Sequence, residues 1–155
     1  DPDLDLKNET YMIIREGKNT KVKFAFADPE CIVVPPEKGV TFSNPEVTFL
    51  LDSVQLGKLL KASQVYQLPD LSAVGNGKEI SLVVSDRKND NSNEFSLKVG
   101  RTDQVFEFNF KMENIKLIPG SYEVQISQKN LSKFTNHNYN LEYFIALEPD
   151  SSYEA

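Results

Sequence analysis

The sequence predicts an α+β fold built on antiparallel sheet. Three observations lead there. Apolar and polar residues alternate with a period of two in several short segments, most clearly Gln104–Lys111, where Phe106, Phe108 and Phe110 alternate with Val105, Glu107 and Asn109. One segment, Ser53–Val65, instead has the 3.6-residue period and end signals of a helix. Finally, residues 46–155 run β, α, β, β, β, short α, β, β, which is not the regular βα alternation of a parallel sheet. With 155 residues and 17.5 kDa, the chain is one compact domain, or one domain with part of another.

Thr10–Arg15 and Thr20–Ala27 read as two strands. The second sets Val22, Phe24 and Phe26 against Lys21, Lys23 and Ala25, and Glu16–Asn19 between them is a turn with Gly17 available for positive φ. A hairpin alone is marginal in water, so it needs a partner. From Asp28 to Pro45 the prolines at 29, 35, 36 and 45 predict an extended connector with an apolar patch, Ile32–Val34. A domain boundary is placed there. Glu46–Leu51 is a strand. Asp52 is the expected N-cap of the helix, with Gln55 as its capping-box partner. At about 100° per residue, Leu56, Leu59, Leu60 and Ser63 share one side, Lys58 and Lys61 the opposite side, and Gln64 a flank. Gly57 weakens the helix and leaves its polar side open to close approach. Lys78–Asp86 and Glu94–Gly100 flank a polar turn. Met112–Ile118 is a short helical turn ended by Pro119-Gly120. Ser121–Gln128 and Tyr139–Leu147 complete the strands.

Composition removes many functions. With one Cys and one His, disulfide scaffolds, multi-Cys clusters and His-rich zinc sites are excluded. Cys31 is expected to be a small buried hydrophobe and His137 an exposed loop residue. The Asp86–Glu94 loop lacks the glycine that a calcium loop requires and reads as a hairpin turn. The acceptor patterns at Asn8 and Asn130 read as chance. No phosphate-cradling glycine loop or nucleophile elbow occurs, and nothing in the spacing of Glu107, Glu113 and Glu142 supports a hydrolytic carboxylate pair. No metal, cofactor or catalytic residue is therefore expected, and no segment approaches a membrane span. The start at DPDLDL, without Met or an apolar leader, suggests that Asp1 is not a natural start.

Charge has to be located before it informs. Of the net −6, Asp1, Asp3 and Asp5 supply −3, and Glu142, Glu148, Asp150 and Glu154 supply −4, which leaves +1 for residues 6–141. That balance is not the overall basic footprint of a generic nucleic-acid binder. A local basic surface remains open, and the 53–65 helix offers one. Lys58 and Lys61 suit undirected contact with phosphates, and Gln64 can hydrogen-bond to phosphate oxygens. The same pattern also fits a solvated amphipathic helix.

Residues 106–122, FEFNFKMENIKLIPGSY, resemble a stretch of the sliding clamps of T-even bacteriophages. The shared frame is Phe106-x-Phe108, Met112-x-Asn114, Lys116 and Pro119-Gly120-x-Tyr122. Leu56-x-x-Leu59-Leu60-Lys61-x-Ser63 matches in the helix, and Lys133-Phe134 and Ala146-Leu147-Glu148-x-Asp150-Ser151 match near the end. The matches are collinear over about 40–155 and continue faintly through Asp28-Pro29 and Val33-Val34 into the first hairpin.

This resemblance implies a DNA-clamp fold in which residues 1–27 are the terminal hairpin of a truncated first domain, 28–45 the interdomain connector and 46–155 the C-terminal clamp domain. It further implies a homotrimeric ring, with helices lining a central hole, that encircles double-stranded DNA without sequence preference and tethers the DNA polymerase in the cytoplasm of an infected bacterium. A clamp loader would open the ring using ATP; the clamp itself would bind none. Lys61, then Lys58, Lys116 and Gln64 would face DNA. Gln64 stands where the family would place a basic residue. Lys111, Lys129 and Lys133 could face DNA or lie on the outer surface. Ile32, Val33, Val34, Tyr66, Leu68 and Pro149 would receive partner peptides, although Ile32–Val34 could equally pin the connector to the sheet. The competing reading is a non-enzymatic β-rich adhesion or carbohydrate-binding module of a phage structural protein, with a carboxylate hydrolase ranked last.

Overall fold

In the computed structural model the chain forms two units, Asp1–Gly39 and Val40–Ala155. The structure describes residues 2–31, 41–42 and 44–154; Ile32, Val33 and Val34 lie outside the described residues.

The first unit contains the expected hairpin, β2 (Tyr11–Glu16) and β3 (Thr20–Ala25), with Gly17 at φ 61° in the turn. A third strand, β1 (Asp3–Asp5), pairs antiparallel with β2. Arg15 explains how so acidic a segment joins the sheet: its guanidinium lies 3.7 Å from Asp3 and 3.5 Å from Asp5. Lys23 sits 4.0 Å over the Tyr11 ring. On one face the register places Leu4 beside Ile14, Ile14 beside Val22 and Met12 beside Phe24. Val22, Phe24 and Phe26 remain exposed, because three short strands provide no second layer. Cys31 ends a 3-10 turn, Pro29–Cys31, and is exposed. The expectation of a buried Cys31 is therefore wrong; a one-turn element has no interior face to bury it.

The second unit contains β4 (Val47–Leu51), α1 (Ser53–Tyr66), β5 (Asp70–Asn76), β6 (Glu79–Ser85), β7 (Phe95–Arg101), β8 (Val105–Lys111), β9 (Tyr122–Ser127), β10 (Leu131–Asn136), β11 (Leu141–Ala146) and β12 (Ser152–Glu154). They form two antiparallel sheets, β11-β10-β9-β4 and β12-β8-β5-β6-β7. Strands β4 and β7 approach each other, and α1 packs on β6 and β7. Phe49, Leu56, Leu59, Leu71, Phe110 and Ile126 meet in the core around a void of only about 10 Å³, barely a water's worth of space.

Besides β1, three strands of the second unit escape the sequence reading. In β5, Asp70 through Ala73 are all buried, so the central strand shows no two-residue alternation. Its Gly75 has a physical reason, since a Cβ there would collide with the Phe106 ring. In β10 the inward residues include Ser132 and Asn136, which hides the alternation behind polar chemistry. β12 is only three residues long. The helical turn expected over Met112–Ile118 is a 3-10 turn restricted to Met112–Asn114. Gly120 follows because the Asn136 amide occupies the space a Cβ would take.

Candidate nucleic-acid interface

Helix α1 is fixed at both ends by local chemistry. Asp52 has extended backbone (φ −76°, ψ 164°), and its carboxylate accepts from the Gln55 N–H at 2.7 Å. The Gln55 Oε1 accepts from the Asp52 N–H at 3.0 Å, completing the capping box. The Ser53 N–H donates to Ser121 Oγ at 3.2 Å, and Gln55 Nε2 donates to the Lys98 carbonyl at 3.4 Å, so the first turn is tied to both the β9 approach and β7. At the far end Gln67 takes the left-handed conformation (φ 55°) and its N–H donates to the Ser63 carbonyl. The Ser63 hydroxyl donates to the Leu68 carbonyl at 2.7 Å.

These ties fix which side faces outward. Leu56, Leu59 and Ala62 are buried. Lys58, Lys61 and Gln64 are exposed on the other side. All 14 helical residues lack a carboxylate, in a chain with 23 Asp and Glu. Among the described residues no carboxylate lies within salt-bridge distance of Lys58 or Lys61. The outward surface is thus a small, uncompensated positive strip. It carries two further residues that the charge pattern did not flag, Val54 and Val65, both exposed; by helical spacing they flank the lysines. No atom outside the helix approaches Gly57, so this side is sterically open.

Lys116 is exposed just after the 3-10 turn. Its neighbour Ile115, with Met112, lines the same core void as Leu59 and Leu60, which sets this turn beside the buried side of α1. Lys129 is exposed as well. The remaining cations weighed with it are committed elsewhere. Lys133 pairs with Glu142 at 2.7 Å, and Lys111 pairs with the buried Asp70. His137 is exposed, 3.4 Å from Glu123, as a loop residue should be.

The residues expected to receive partner peptides separate. Tyr66 is exposed at the end of α1, whereas Leu68 is only 3% exposed and belongs to the core. Burial of Leu68 corrects its expected role as a docking side chain. Pro149 is exposed and lines a 290 Å³ pocket with Asp70, Arg87, Lys111, Glu148 and Asp150. A polar network underlies this pocket. Asp70 accepts from the Arg87 backbone N–H at 3.0 Å and from Lys111 Nζ. Arg87 pairs with Asp150, the Asn109 N–H donates to Ser151 Oγ at 2.9 Å, and the Glu148 N–H donates to the Asn109 carbonyl at 2.7 Å. The hydrogen bond from Arg87 holds the Asp150 carboxyl below its ordinary value. The hydrogen bond to Asp70 pushes the Lys111 ammonium up. Burial pulls the Arg87 guanidinium down, but Asp150 outweighs it and the net direction is up.

Known proteins place this geometry in context. The sliding clamp of Vibrio phage KVP40 is 29% identical over 147 residues, spanning 90% of this chain and 65% of that protein. The sliding clamp of Enterobacteria phage T4 is 24% identical over 162 residues, spanning 99% of this chain and 69% of that protein. The chain therefore spans about two thirds of the length of these curated relatives. Among solved structures, DNA polymerase III subunit beta of Borrelia burgdorferi superposes with a TM-score of 0.59 at 14% identity, covering 92% of this chain and 40% of that one. The A. fulgidus PCNA bound to the C-terminal region of FEN-1 gives 0.55 at 13% identity, covering 97% and 65%. At such identities these two establish the fold, which is the sliding-clamp fold. The family model described as gp45 sliding clamp, C terminal, matches residues 48–149, and the chain belongs to that family.

Proposed function

We propose that this chain acts as a DNA polymerase processivity factor: a non-enzymatic clamp that encircles duplex DNA without reading its sequence. The observation that carries this reading is the carboxylate-free outer side of α1. Lys58 and Lys61 supply uncompensated charge for phosphates, Gln64 a neutral hydrogen-bonding group, and Lys116 an additional cation near the second, shorter turn. Few contacts suffice, because a topological link needs no tight grip and weak phosphate contact allows sliding. Acidic surface elsewhere opposes DNA binding outside the hole.

On this reading the assembled protein is a homotrimeric ring in the cytoplasm of the infected bacterial host. It is opened by a clamp loader and binds the replicative polymerase through peptides that dock near the connector, Tyr66 and Pro149. It needs no cofactor or metal. No helix of the described residues is long and apolar enough to cross a membrane. The adhesion-module reading is not favoured: it calls for a fold without a basic helix, whereas α1 presents Lys58 and Lys61, and the Phe106, Phe108 and Phe110 row points into the core. The test is retention on closed circular duplex against linear duplex of the same sequence. Retention on circles with loss from linear ends supports encirclement. Equal retention on both, or no DNA response, overturns it.

A further inference from the structure

Asn76-Gly77, in the turn from β5 to β6, is the only Asn-Gly step in the sequence, and that step has a chemistry of its own. The backbone nitrogen that follows an asparagine can attack the carbon of the asparagine's side-chain amide. Glycine, lacking a Cβ, hinders the approach least. Here Asn76 is exposed and Gly77 takes φ 78°. Both reacting groups are already engaged. Asn76 Oδ1 accepts from the Lys78 N–H at 3.1 Å and from the Glu79 N–H at 3.0 Å. The Gly77 N–H donates to the Gln104 carbonyl at 3.0 Å. The first two bonds aim donors at the oxygen on which negative charge would develop, which favours attack. The third holds the attacking nitrogen, whose proton must leave before it can react. An activated carbonyl without a free nucleophile does not react, so the Gly77–Gln104 bond decides the rate.

We propose that Asn76 is a spontaneous deamidation site gated by the Gly77–Gln104 hydrogen bond. When that bond opens, the Gly77 N–H gives its proton to water or hydroxide. A bond forms between Gly77 N and Asn76 Cγ, the Cγ–Nδ2 bond breaks, and ammonia leaves behind a cyclic succinimide. Water then adds to either ring carbonyl and yields aspartate or isoaspartate; nothing is oxidised or reduced. The aspartate keeps both acceptor contacts and adds one negative charge. The isoaspartate inserts a methylene into the main chain where Asn76 pairs with Val105, and so loosens that end of the β5–β8 pairing. The gate is held in turn by its own neighbours. The Gln104 N–H donates to Thr102 Oγ1 at 3.1 Å, and the Thr102 N–H donates to the Lys78 carbonyl at 3.3 Å, so residues 102–104 are tied to the turn that carries Asn76. None of this depends on the clamp reading.

The test is incubation of the 155-residue chain in mildly alkaline buffer, with peptide-mapping mass spectrometry of position 76 and hydrogen exchange of the Gly77 amide on the same samples. A capped peptide copying residues 73–80 supplies the ungated rate. The folded chain should deamidate at Asn76 about tenfold more slowly than the peptide, the order of protection that one hydrogen bond gives. Aspartate and isoaspartate should both appear, and Asn76→Asp should remove the mass change at this site. Thr102→Val deletes the hydroxyl that orders Gln104 and should speed Gly77 exchange and Asn76 deamidation in the same proportion. A urea series on the wild type makes the same comparison without a substitution: the deamidation rate should climb with Gly77 exchange and level off at the rate of the peptide in the same urea. Deamidation of the folded chain as fast as the peptide's overturns the gate. Faster Gly77 exchange with no change in deamidation, in either the variant or the urea series, overturns it too. Absence of reaction at Asn76 in the fully unfolded chain overturns the site itself.

Discussion

Replacing Lys58 and Lys61 together by Ala asks how much of the DNA affinity comes from α1. Both ammonium groups are exposed and have no carboxylate within salt-bridge distance among the described residues, so neither stabilises the fold through a partner. If each ammonium meets one phosphate, removing both lowers the slope of log affinity against log salt by about 1.8 per chain. Between about 50 and 200 mM salt, that slope corresponds to about a twelvefold difference in the fall of affinity. The assay is fluorescence anisotropy of a labelled duplex across that salt range, with urea unfolding as the control. Wild type should lose about twelvefold more affinity than the variant over the range, and the two urea curves should agree within about 0.5 kcal/mol. Charge reversal at both positions should weaken binding further by setting carboxylates against phosphates. An unchanged salt slope in the folded variant would refute the reasoning, since it would place the phosphate contacts elsewhere on the molecule.

Asp52→Ala should cost about 1 kcal/mol of unfolding free energy by removing the capping-box acceptor, with Asp52→Ser recovering most of it in urea titrations. Gly57→Ala should stabilise the chain by about 0.5–1 kcal/mol, because the site is helical and open, whereas Gly75→Ala should destabilise it by about 1–3 kcal/mol through overlap with Phe106; thermal unfolding separates the two signs. Asp150 titrates below the ordinary carboxylate value of 3.8, so its contribution to stability is complete above that value and disappears as pH falls through the lower folded value. The urea midpoints of wild type and Arg87→Gln should therefore differ near neutral pH and converge once the pH falls below the lowered folded value of Asp150. A difference that stays constant would mean that Arg87 stabilises the fold through something other than Asp150.

Much of this was legible in the residues because local chemistry dictated it. Asp52-x-x-Gln55 specified a helix start, and the capping box is present with both bonds. The Phe106, Phe108, Phe110 row specified a core-facing strand, and all three are buried. The opposite row misleads at Asn109, which is also buried, because residues 148–151 fold back across it. What stayed hidden depends on partners distant in sequence. Arg87 meets Asp150 across 63 residues and Lys111 meets Asp70 across 41, so no periodicity marks either pair. β5 was obscured for a related reason: a strand covered on both sides has no solvent side to reveal its period. On α1 the charges were visible but Val54 and Val65 were not, since apolar residues at helical spacing are ordinarily taken for core.

The most direct measurement is site-specific photocrosslinking to duplex DNA. A photoreactive residue is placed at Gln64 on α1 or, as the comparison, at Thr135 on β10. Covalent capture from position 64 with little from position 135 is the expected result. Capture from position 135 with none from position 64 would mean that the sheet, and not the lysine-bearing helix, faces the duplex.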